Sequence, residues 1–178
     1  PVTEKTAKNG QWLPGPGLDF INTITTWFSS LSIVAEDLGI LTDDVKKLLK
    51  DSGLPGMKVL EFAFDSEEST DYLPHNIPTN AVCYLGTHDN DTLVGWLKTA
   101  PRKTIRRAKT YLGLNRTETY RRGFFRAGLS SRANLFIAQM QDYLGLDTDC
   151  RMNTPGVTGK NWAWRMLPGE ASSNLAAE

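Results

Sequence analysis

The stretches Ile33–Gly39 (IVAEDLG) and Tyr84–Thr92 (YLGTHDNDT) decide the fold class of this chain. Each is a short apolar run that ends abruptly in acidic residues, namely Glu36 and Asp37 in the first and Asp89 and Asp91 in the second. A buried strand that delivers carboxylates at its C-terminal end is the arrangement that a βα barrel uses to build an active site. Because a desolvated carboxylate is costly without a partner or a chemical role, the two stretches predict carboxylate chemistry.

Outward from these two stretches, apolar runs typical of strands alternate with helical patterns. Strands are predicted at Leu31–Ala35, Met57–Phe64, Ala81–Gly86 and Asn134–Met140. Helices are predicted at Leu18–Ser29, Asp43–Asp51, Thr92–Lys98, Pro101–Leu112 and Thr117–Leu129. Near-continuous apolar strands that alternate with helices predict an α/β fold, a parallel sheet with helical crossovers. Two prolines within Leu73–Pro78 exclude regular structure from the long loop 65–80.

The composition excludes several classes of function. The 178 residues carry 20 basic and 20 acidic side chains, so no nucleic-acid or membrane partner is expected. The basic stretch Arg102–Lys109 is interpreted as the solvated face of a helix, because no aromatic side chains for base stacking are interleaved with it. Cys83 and Cys150 make no disulfide framework. Since Cys83 lies in an apolar run, we predict a small buried hydrophobe in a protein of the reducing cytoplasm.

The acids at the strand ends are expected to meet. If the four strands are parallel neighbours, three acids emerge at or beyond the same edge of the sheet, namely Glu36, Asp65 and Asp89. Glu36 and Asp89 would then lie two strands apart and flank one ligand across a barrel mouth. Paired carboxylates around an uncharged, hydroxyl-rich substrate indicate glycosyl chemistry. One acid of such a pair must stay protonated to assist the leaving oxygen, and burial is the expected means.

Plainer interpretations of the same acids stay open at this point. Glu36 and Asp37 are also compatible with an acidic pair at a helix N-terminus. Asp37 is expected to hold its loop by hydrogen bonds rather than to act on substrate. In the second stretch, Asp91 or Thr92 is expected to cap the helix behind it, with Asp91 preferred.

A metal site at 88–91 is disfavoured. The stretch lacks the glycine and the distal glutamate of an EF-hand loop, and the chain has only His75 and His88 as histidine ligands for zinc. His75 is expected to order its proline-rich loop, with contact to sugar left open. Trp162 and Trp164 are left open between stacking on sugar rings and packing in the core.

Six blocks extend the pattern along the chain. They are AEDLG (Ala35–Gly39), GLPGMKVLEFAFD (Gly53–Asp65), LPHNIP (Leu73–Pro78), GTHDNDT (Gly86–Thr92), QDYLGL (Gln141–Leu146) and RMNTPG (Arg151–Gly156) with NWAWR (Asn161–Arg165). In this order, from Thr3 to Pro168, they resemble the 4-α-glucanotransferases of glycoside hydrolase family 77, in the α-amylase clan. The resemblance implies a (β/α)8 TIM-barrel enzyme that passes an α-1,4-glucan segment to another sugar with retention of configuration.

The same resemblance implies roles for five residues. Glu36 is similar to the family's general acid/base, and Asp89 to its transition-state-stabilising carboxylate. His88 resembles the neighbouring sugar-binding histidine. Phe62 resembles an aromatic wall near the acceptor, and Asp65 is implied to line the same cleft. These roles come from the family and not from the spacing.

The resemblance has one gap. The family's nucleophile is an aspartate at the end of the fourth strand, in a block that reads roughly RIDHFRG, and no such block occurs in this chain. Gly10–Gly17 (GQWLPGPG) resembles the segment that follows that block. Residues 1–178 are therefore expected to be the C-terminal part of one catalytic barrel, about strands five to eight, with no second domain. Without its nucleophile a retaining enzyme forms no covalent intermediate, so the chain alone is expected to be inactive.

The implied partners are maltodextrins, as donor and acceptor, and the N-terminal half of the barrel. No cofactor and no metal are expected, and a plant member would lie in the plastid. Unpaired edges are expected at strands 31–35 and 134–140. Two rival functions stay open: a hydrolase or branching enzyme of the same clan, and a non-catalytic α-glucan-binding module.

Overall fold

The computed structural model describes residues 3–65, 70–115 and 117–177. The chain divides into two compact units, a first unit at Pro1–Leu54 and a second unit at Pro55–Glu178. Among the described residues, no helix combines the length and the apolar character that crossing a bilayer requires.

The first unit contains two α-helices, α1 (Leu18–Trp27) and α2 (Asp43–Ser52), and a short 3-10 helix at Ala7–Asn9. Both predicted α-helices are confirmed. α2 begins after Thr42 with acidic residues in its first turn, which favour the positive end of the helix dipole. It ends at Gly53, whose φ of 68° is the left-handed conformation common after a helix. Neither α-helix contains a buried residue.

The predicted strand at Leu31–Ala35 is wrong. The segment 31–38 has no regular secondary structure, and Leu31 is 61% exposed. A strand exists only through hydrogen bonds to a neighbouring strand. None of the described residues places a strand beside this segment, so the apolar run alone does not form one.

The second unit is built on a three-stranded parallel sheet in the order β1-β2-β3. The strands are β1 (Gly56–Val59), β2 (Ala81–Tyr84) and β3 (Leu135–Ile137), which confirms three predicted strands and their parallel direction. β1 is shorter than predicted, because the chain winds after Val59 into a 3-10 helix at Leu60–Phe64. The helices are α3 (Leu93–Thr99), α4 (Arg102–Leu112), α5 (Tyr120–Leu129), α6 (Met140–Leu144) and α7 (Ser173–Ala176), with a 3-10 helix at Thr148–Cys150.

The core of the second unit lies around β2 and the 3-10 helix that follows β1. Ala81, Val82 and Cys83 are all buried, so both faces of this central strand are covered. Cys83 is thereby confirmed as a buried free thiol. The largest buried apolar side chains around it are Leu60, Phe64, Ile77, Leu85, Leu93 and Phe124. The loop 70–80 has no helix or strand, as predicted, and residues 66–69 of that prediction lie outside the described residues.

The basic stretch forms the exposed face of α4, as predicted. The buried positions of this helix recur every four residues at Thr104, Ala108 and Leu112. The exposed basic side chains are Arg102, Lys103, Arg106 and Lys109. Arg107 points inward, and its guanidinium donates to the Phe64 carbonyl oxygen at 2.6 Å.

Candidate functional site

Four of the five predicted site residues follow neighbouring strands at their carboxyl ends. Phe62 and Asp65 lie in and just after the 3-10 helix that continues β1. His88 and Asp89 lie in the turn after β2. Because β1 and β2 are adjacent and parallel, all four residues lie at the same edge of the sheet. Glu36 belongs to the first unit.

A tight turn at Gly86–Asn90 presents Asp89. The Asn90 side-chain oxygen accepts from the Thr87 N–H at 2.9 Å and from the Thr87 hydroxyl at 2.7 Å. The Asn90 N–H donates to the Thr87 carbonyl oxygen at 3.0 Å, and the Asp89 N–H donates to Thr87 Oγ1 at 3.3 Å. Short polar side chains that bond nearby backbone groups favour turns over regular structure, so this block folds as a turn.

Residues from a distant part of the chain hold Asp89. Asn153 Nδ2 donates to Asp89 Oδ1 at 2.5 Å. Arg151 donates to the Asp89 carbonyl oxygen at 2.5 Å and to the Asn153 carbonyl oxygen at 2.8 Å. The Asn153 N–H donates to the His88 carbonyl oxygen at 3.1 Å. Both the backbone and the side chain of the turn are therefore fixed, while the Asp89 side chain stays 48% exposed to a ligand.

His88 lies between Asp89 and Trp162. Its Nε2 is 3.4 Å from Asp89 Oδ1, and its ring centroid is 5.1 Å from that of Trp162. Trp162 is 54% exposed, so it is not a core residue. Its φ of 63° is unusual for a residue with a side chain, and its N–H donates to the Met152 carbonyl oxygen at 2.7 Å. Such strained, supported backbone is concentrated at functional sites.

Two further acids, Glu61 and Asp142, are buried at this edge of the sheet, and each is 1% exposed. Burial raises the pKa of Glu61 well above its ordinary value, and the negative charges of Asp142, Asp91 and Asp65 raise it further against the opposing charge of Arg151. Burial also raises the pKa of Asp142 to about 6. Raised carboxyl pKa values of this kind are concentrated at functional sites.

These buried acids are only partly satisfied by hydrogen bonds. Asp142 Oδ1 accepts from the Leu93 N–H at 2.7 Å. Three other atoms are buried and have no hydrogen-bond partner among the described residues, namely Asp142 Oδ2, Glu61 Oε1 and Gln139 Nε2. A buried polar group without a partner costs about 1–3 kcal/mol. The buried side-chain atoms of Asp142, Glu61 and Gln139 that lack partners therefore lower the stability of the folded state.

Thr92 caps the start of α3, directly behind the turn. Its hydroxyl oxygen accepts from the Gly95 N–H at 3.1 Å. The preference for Asp91 as the cap is wrong, because the Asp91 carboxylate has other partners. It accepts from the Thr92 N–H at 2.8 Å and from the Thr148 hydroxyl at 2.9 Å, which links the turn to the 3-10 helix at Thr148–Cys150.

Glu36 lies in the irregular segment of the first unit, and its side chain is exposed. The burial expected of the protonated acid is thus absent, and the buried residue is its neighbour Asp37, at 5% exposure. The physical reason is the missing strand, since a segment without a strand neighbour is not covered by a sheet. The hydrogen-bonding role of Asp37 stays a prediction.

Two of the remaining predicted residues, Phe62 and His75, lie next to aromatic rings. Phe62 packs edge-on against Tyr72, with ring centroids 5.7 Å apart. Asp65 is exposed in part, and desolvation raises its pKa. His75 stacks on Tyr111, and its Nδ1 lies 2.7 Å from the Tyr111 hydroxyl oxygen. The prediction that His75 orders its loop is confirmed by these contacts.

Sequence reasoning missed Arg151, Asn153 and Glu61. Arg151 and Asn153 lie in the RMNTPG block, and nothing in the local pattern predicts that they reach the turn after β2. Glu61 had a signal, because it is a lone acid inside the apolar run Met57–Phe64. Over the ranges that the structure describes, no three His, Cys, Asp or Glu side chains are placed to hold a metal ion.

Known proteins that resemble this chain are 4-alpha-glucanotransferases. The family model with that description, for glycoside hydrolase family 77, matches residues 1–170. The 4-alpha-glucanotransferase of Clostridium butyricum is 42% identical over 174 residues, which is 97% of this chain and 36% of that protein. The chloroplastic/amyloplastic 4-alpha-glucanotransferase of Solanum tuberosum is 43% identical over 178 residues, which is 100% of this chain and 31% of that protein.

A solved structure also resembles this chain over nearly its whole length. The amylomaltase from Streptococcus agalactiae, in complex with acarbose, matches with a TM-score of 0.90 at 34% identity, over 98% of this chain and 35% of that chain. This chain therefore spans about a third of the length of the curated relatives it matches. Its sheet and helices correspond to part of an amylomaltase fold.

Proposed function

The chain belongs to the 4-alpha-glucanotransferase family, glycoside hydrolase family 77, and on this premise we propose that it forms strands five to eight of a (β/α)8 barrel. The proposed reaction moves an α-1,4-glucan segment from a donor to the 4-hydroxyl of glucose or of another glucan. The observation that carries the proposal is the support of Asp89 by Asn153 and Arg151 at the carboxyl edge of the sheet. A carboxylate that is rigid yet half exposed suits the binding of sugar hydroxyls.

In this proposal Asp89 stabilises the transition state. As the glycosidic bond of the donor breaks, positive charge develops on the sugar ring and the ring flattens. Asn153 occupies one carboxylate oxygen of Asp89, which leaves the second oxygen for hydroxyls of that sugar. His88 is proposed to bind a neighbouring hydroxyl, and its contact with Trp162 supports the orientation of the imidazole ring.

Glu36 is proposed as the general acid/base. It gives a proton to the departing glycosidic oxygen and regains one from the acceptor hydroxyl, so the proton balance closes over the cycle. The nucleophilic aspartate is proposed to come from outside this chain, because the chain contains no RIDHFRG-type block. Without that aspartate no covalent glycosyl intermediate forms, and the chain by itself is proposed to be inactive.

The remainder of the barrel is the proposed partner of the first unit. It would supply the strand neighbour that Leu31–Ala35 lacks and the cover that Glu36 lacks. Phe62 is proposed as an aromatic wall near the acceptor sugar, with Asp65 in the same cleft. The proposed substrates are maltodextrins as both donor and acceptor.

Reconstitution tests the proposal. The chain is co-expressed with the N-terminal two-thirds of the Clostridium butyricum relative, and the purified complex is incubated with maltotriose. Glucose and longer maltodextrins are expected from the complex, and neither is expected from the chain alone. Glucose without longer chains would indicate a hydrolase instead, and new α-1,6 linkages would indicate a branching enzyme.

Substitutions in the complex assign the roles. Asp89→Asn and Glu36→Gln are each expected to lower the rate of transfer by about 100-fold or more. Asp71→Asn removes an exposed acid of the second unit and is expected to change nothing. Transfer by the chain alone, or full activity of both site variants, would contradict the proposal. A complex that binds maltodextrin but turns nothing over would favour the glucan-binding module.

A further inference from the structure

We propose that Glu61 and Gln139 are positioning residues for Asp89, and that the buried Glu61 side chain and the buried amide nitrogen of Gln139 form the floor on which the Gly86–Asn90 turn rests. The inference rests on the proposed function of Asp89 and adds the means by which the fold holds it. Three strand ends meet at this floor, since Glu61 follows β1, Gly86 follows β2 and Gln139 follows β3.

Leu85 joins the three strand ends. Its N–H donates to the Ile137 carbonyl oxygen at 3.0 Å, and its carbonyl oxygen accepts from the Glu61 N–H at 3.3 Å. Both outer strands are therefore bonded to the residue just before the turn. These two hydrogen bonds fix where Glu61 and Gln139 lie relative to the turn.

Gly86 provides the room for the floor. A Cβ atom at this position would lie 3.3 Å from Glu61 Oε1, 3.4 Å from Gln139 Nε2 and 3.2 Å from the Asn90 Cβ. A carboxyl group, an amide and a side chain of the turn thus border the position that a Cβ atom would take. Asn90 is the residue whose side chain closes the turn onto Thr87, so a shift of the floor is transmitted to the turn.

The floor suits an uncharged Glu61. Glu61 Oε1 is buried without a hydrogen-bond partner among the described residues, and an ionised oxygen in such a place is costly. The charged groups that face Glu61 are Asp142 from α6, Asp91 from the start of α3, Asp65 from the end of the 3-10 helix, and Arg151. Burial and these acids raise the pKa of Glu61. Ionisation would drive the carboxylate toward water and disturb the turn above it.

Amide NMR of the full 178-residue chain, without substrate, tests the floor. In the wild type, the Gly86–Asn90 signals are expected to shift with pH, with a midpoint above the ordinary pKa of glutamate, about 4.3. Glu61→Gln keeps the shape of the neutral acid, so it is expected to lose the part of the shift that Glu61 causes and to keep any shift that His88 and Asp89 of the turn cause themselves. Asp142→Asn removes the other buried acid and is expected to leave a Glu61-dependent shift. Asp71→Asn is the exposed control and is expected to titrate as the wild type does.

Two results with Glu61→Gln would overturn the proposal. One is an equal titration of the turn in the wild type and in Glu61→Gln. The other is a Glu61→Gln chain that fails to fold at about pH 5, since glutamine replaces the neutral acid without a change of shape. Gly86→Ala is a second measurement, because the added methyl group crowds both floor side chains. Turn signals that are unchanged in Gly86→Ala would also contradict the floor.

Activity of the reconstituted complex separates this inference from the proposed function. Glu61→Gln is expected to keep kcat at low pH and to lose the part of the wild type's decline in kcat toward high pH that Glu61 causes, with KM unchanged. The part that ionisation of the general acid Glu36 causes is expected to remain. If the NMR result holds and the complex transfers no glucan, the proposed function fails while the floor stands. If transfer is observed and the turn does not titrate, only the floor fails.

Discussion

The two acid-bearing segments differ in how their own chain supports them. Asp89 follows the central strand of a sheet, lies in a turn closed by Asn90, and accepts a hydrogen bond from Asn153. Glu36 follows a segment with no strand and is exposed. The same sequence pattern, an apolar run that ends in acids, thus yields a positioned carboxylate in one unit and an unsupported one in the other. Strand neighbours, rather than the run itself, make the difference.

The first prediction compares one glycine from each unit. A methyl group at Gly128 would overlap the Phe136 ring, whereas a Cβ at Gly15 would meet nothing within 4 Å. Gly128→Ala is therefore expected to lower the free energy of unfolding by about 3 kcal/mol, as overpacking of a core does. Gly15→Ala is expected to stay within about 0.5 kcal/mol of the wild type. Urea unfolding followed by tryptophan fluorescence measures both, and equal effects would contradict the tight packing of the second unit.

The second prediction uses pH to probe the buried acids of the second unit. Burial raises the pKa of Asp142 to about 6, whereas an unfolded chain has a value of about 3.9. The folded state therefore holds this proton to higher pH, so the contribution of Asp142 to stability is fully present below about pH 4 and is lost as the pH rises through about 6. The expected decline that Asp142 causes in the free energy of unfolding is about 3 kcal/mol.

Asp142→Asn isolates this contribution. The variant is expected to lose the part of the decline between about pH 4 and pH 6 that Asp142 causes, because asparagine does not ionise, and to keep the part that the raised pKa of Glu61 causes. The exposed control Asp71→Asn is expected to keep it. Chemical denaturation at several pH values gives the comparison, and a decline that persists unchanged in Asp142→Asn would show that other groups cause it.

The third prediction removes the support that Asp89 has and Glu36 lacks. Asn153→Ala deletes the donor to Asp89 Oδ1, and a hydrogen bond to a charged group is worth about 1.5–3 kcal/mol. In the reconstituted complex kcat is expected to fall by about tenfold or more. Asn134→Ala changes an exposed asparagine before β3 and is the matched control. A kcat equal to that of the control would show that Asn153 does not position Asp89.

Much of the secondary structure follows from local signals. Thr42 and Gly53 mark the two ends of α2, and prediction and structure differ there by one residue. β2 is predicted well because an unbroken apolar run suits a strand that is covered on both faces. Whether residues 31–35 form a strand could not be predicted from those residues alone, because a strand forms only by hydrogen bonding to a second segment.

The site was predictable only in part. The position of Asp89 at a strand end was evident, because the acid directly follows an apolar run. The burial of Glu61 and the reach of Asn153 depend on which segments fold together, and residues 64 positions apart in sequence give no local sign of it. A lone acid in an apolar run is a usable signal for buried acids, and Glu61 would have been found by it.

The smallest expected effect compares the threonines that precede α2 and α3. Thr92 accepts a hydrogen bond from the Gly95 N–H, while the Thr42 side chain accepts no capping hydrogen bond from a backbone N–H of its helix. Thr92→Ala is therefore expected to cost about 1 kcal/mol, and Thr42→Ala only a few tenths.

Hydrogen exchange of the amides in each first turn gives a local measurement that does not depend on how the two units unfold. Faster exchange at α3 in Thr92→Ala, with α2 unchanged in Thr42→Ala, would confirm that Thr92 caps its helix and that Thr42 does not. Equal changes at both helices would show that capping does not distinguish the two units. The strand neighbours of Asp89 would then be the main difference between them.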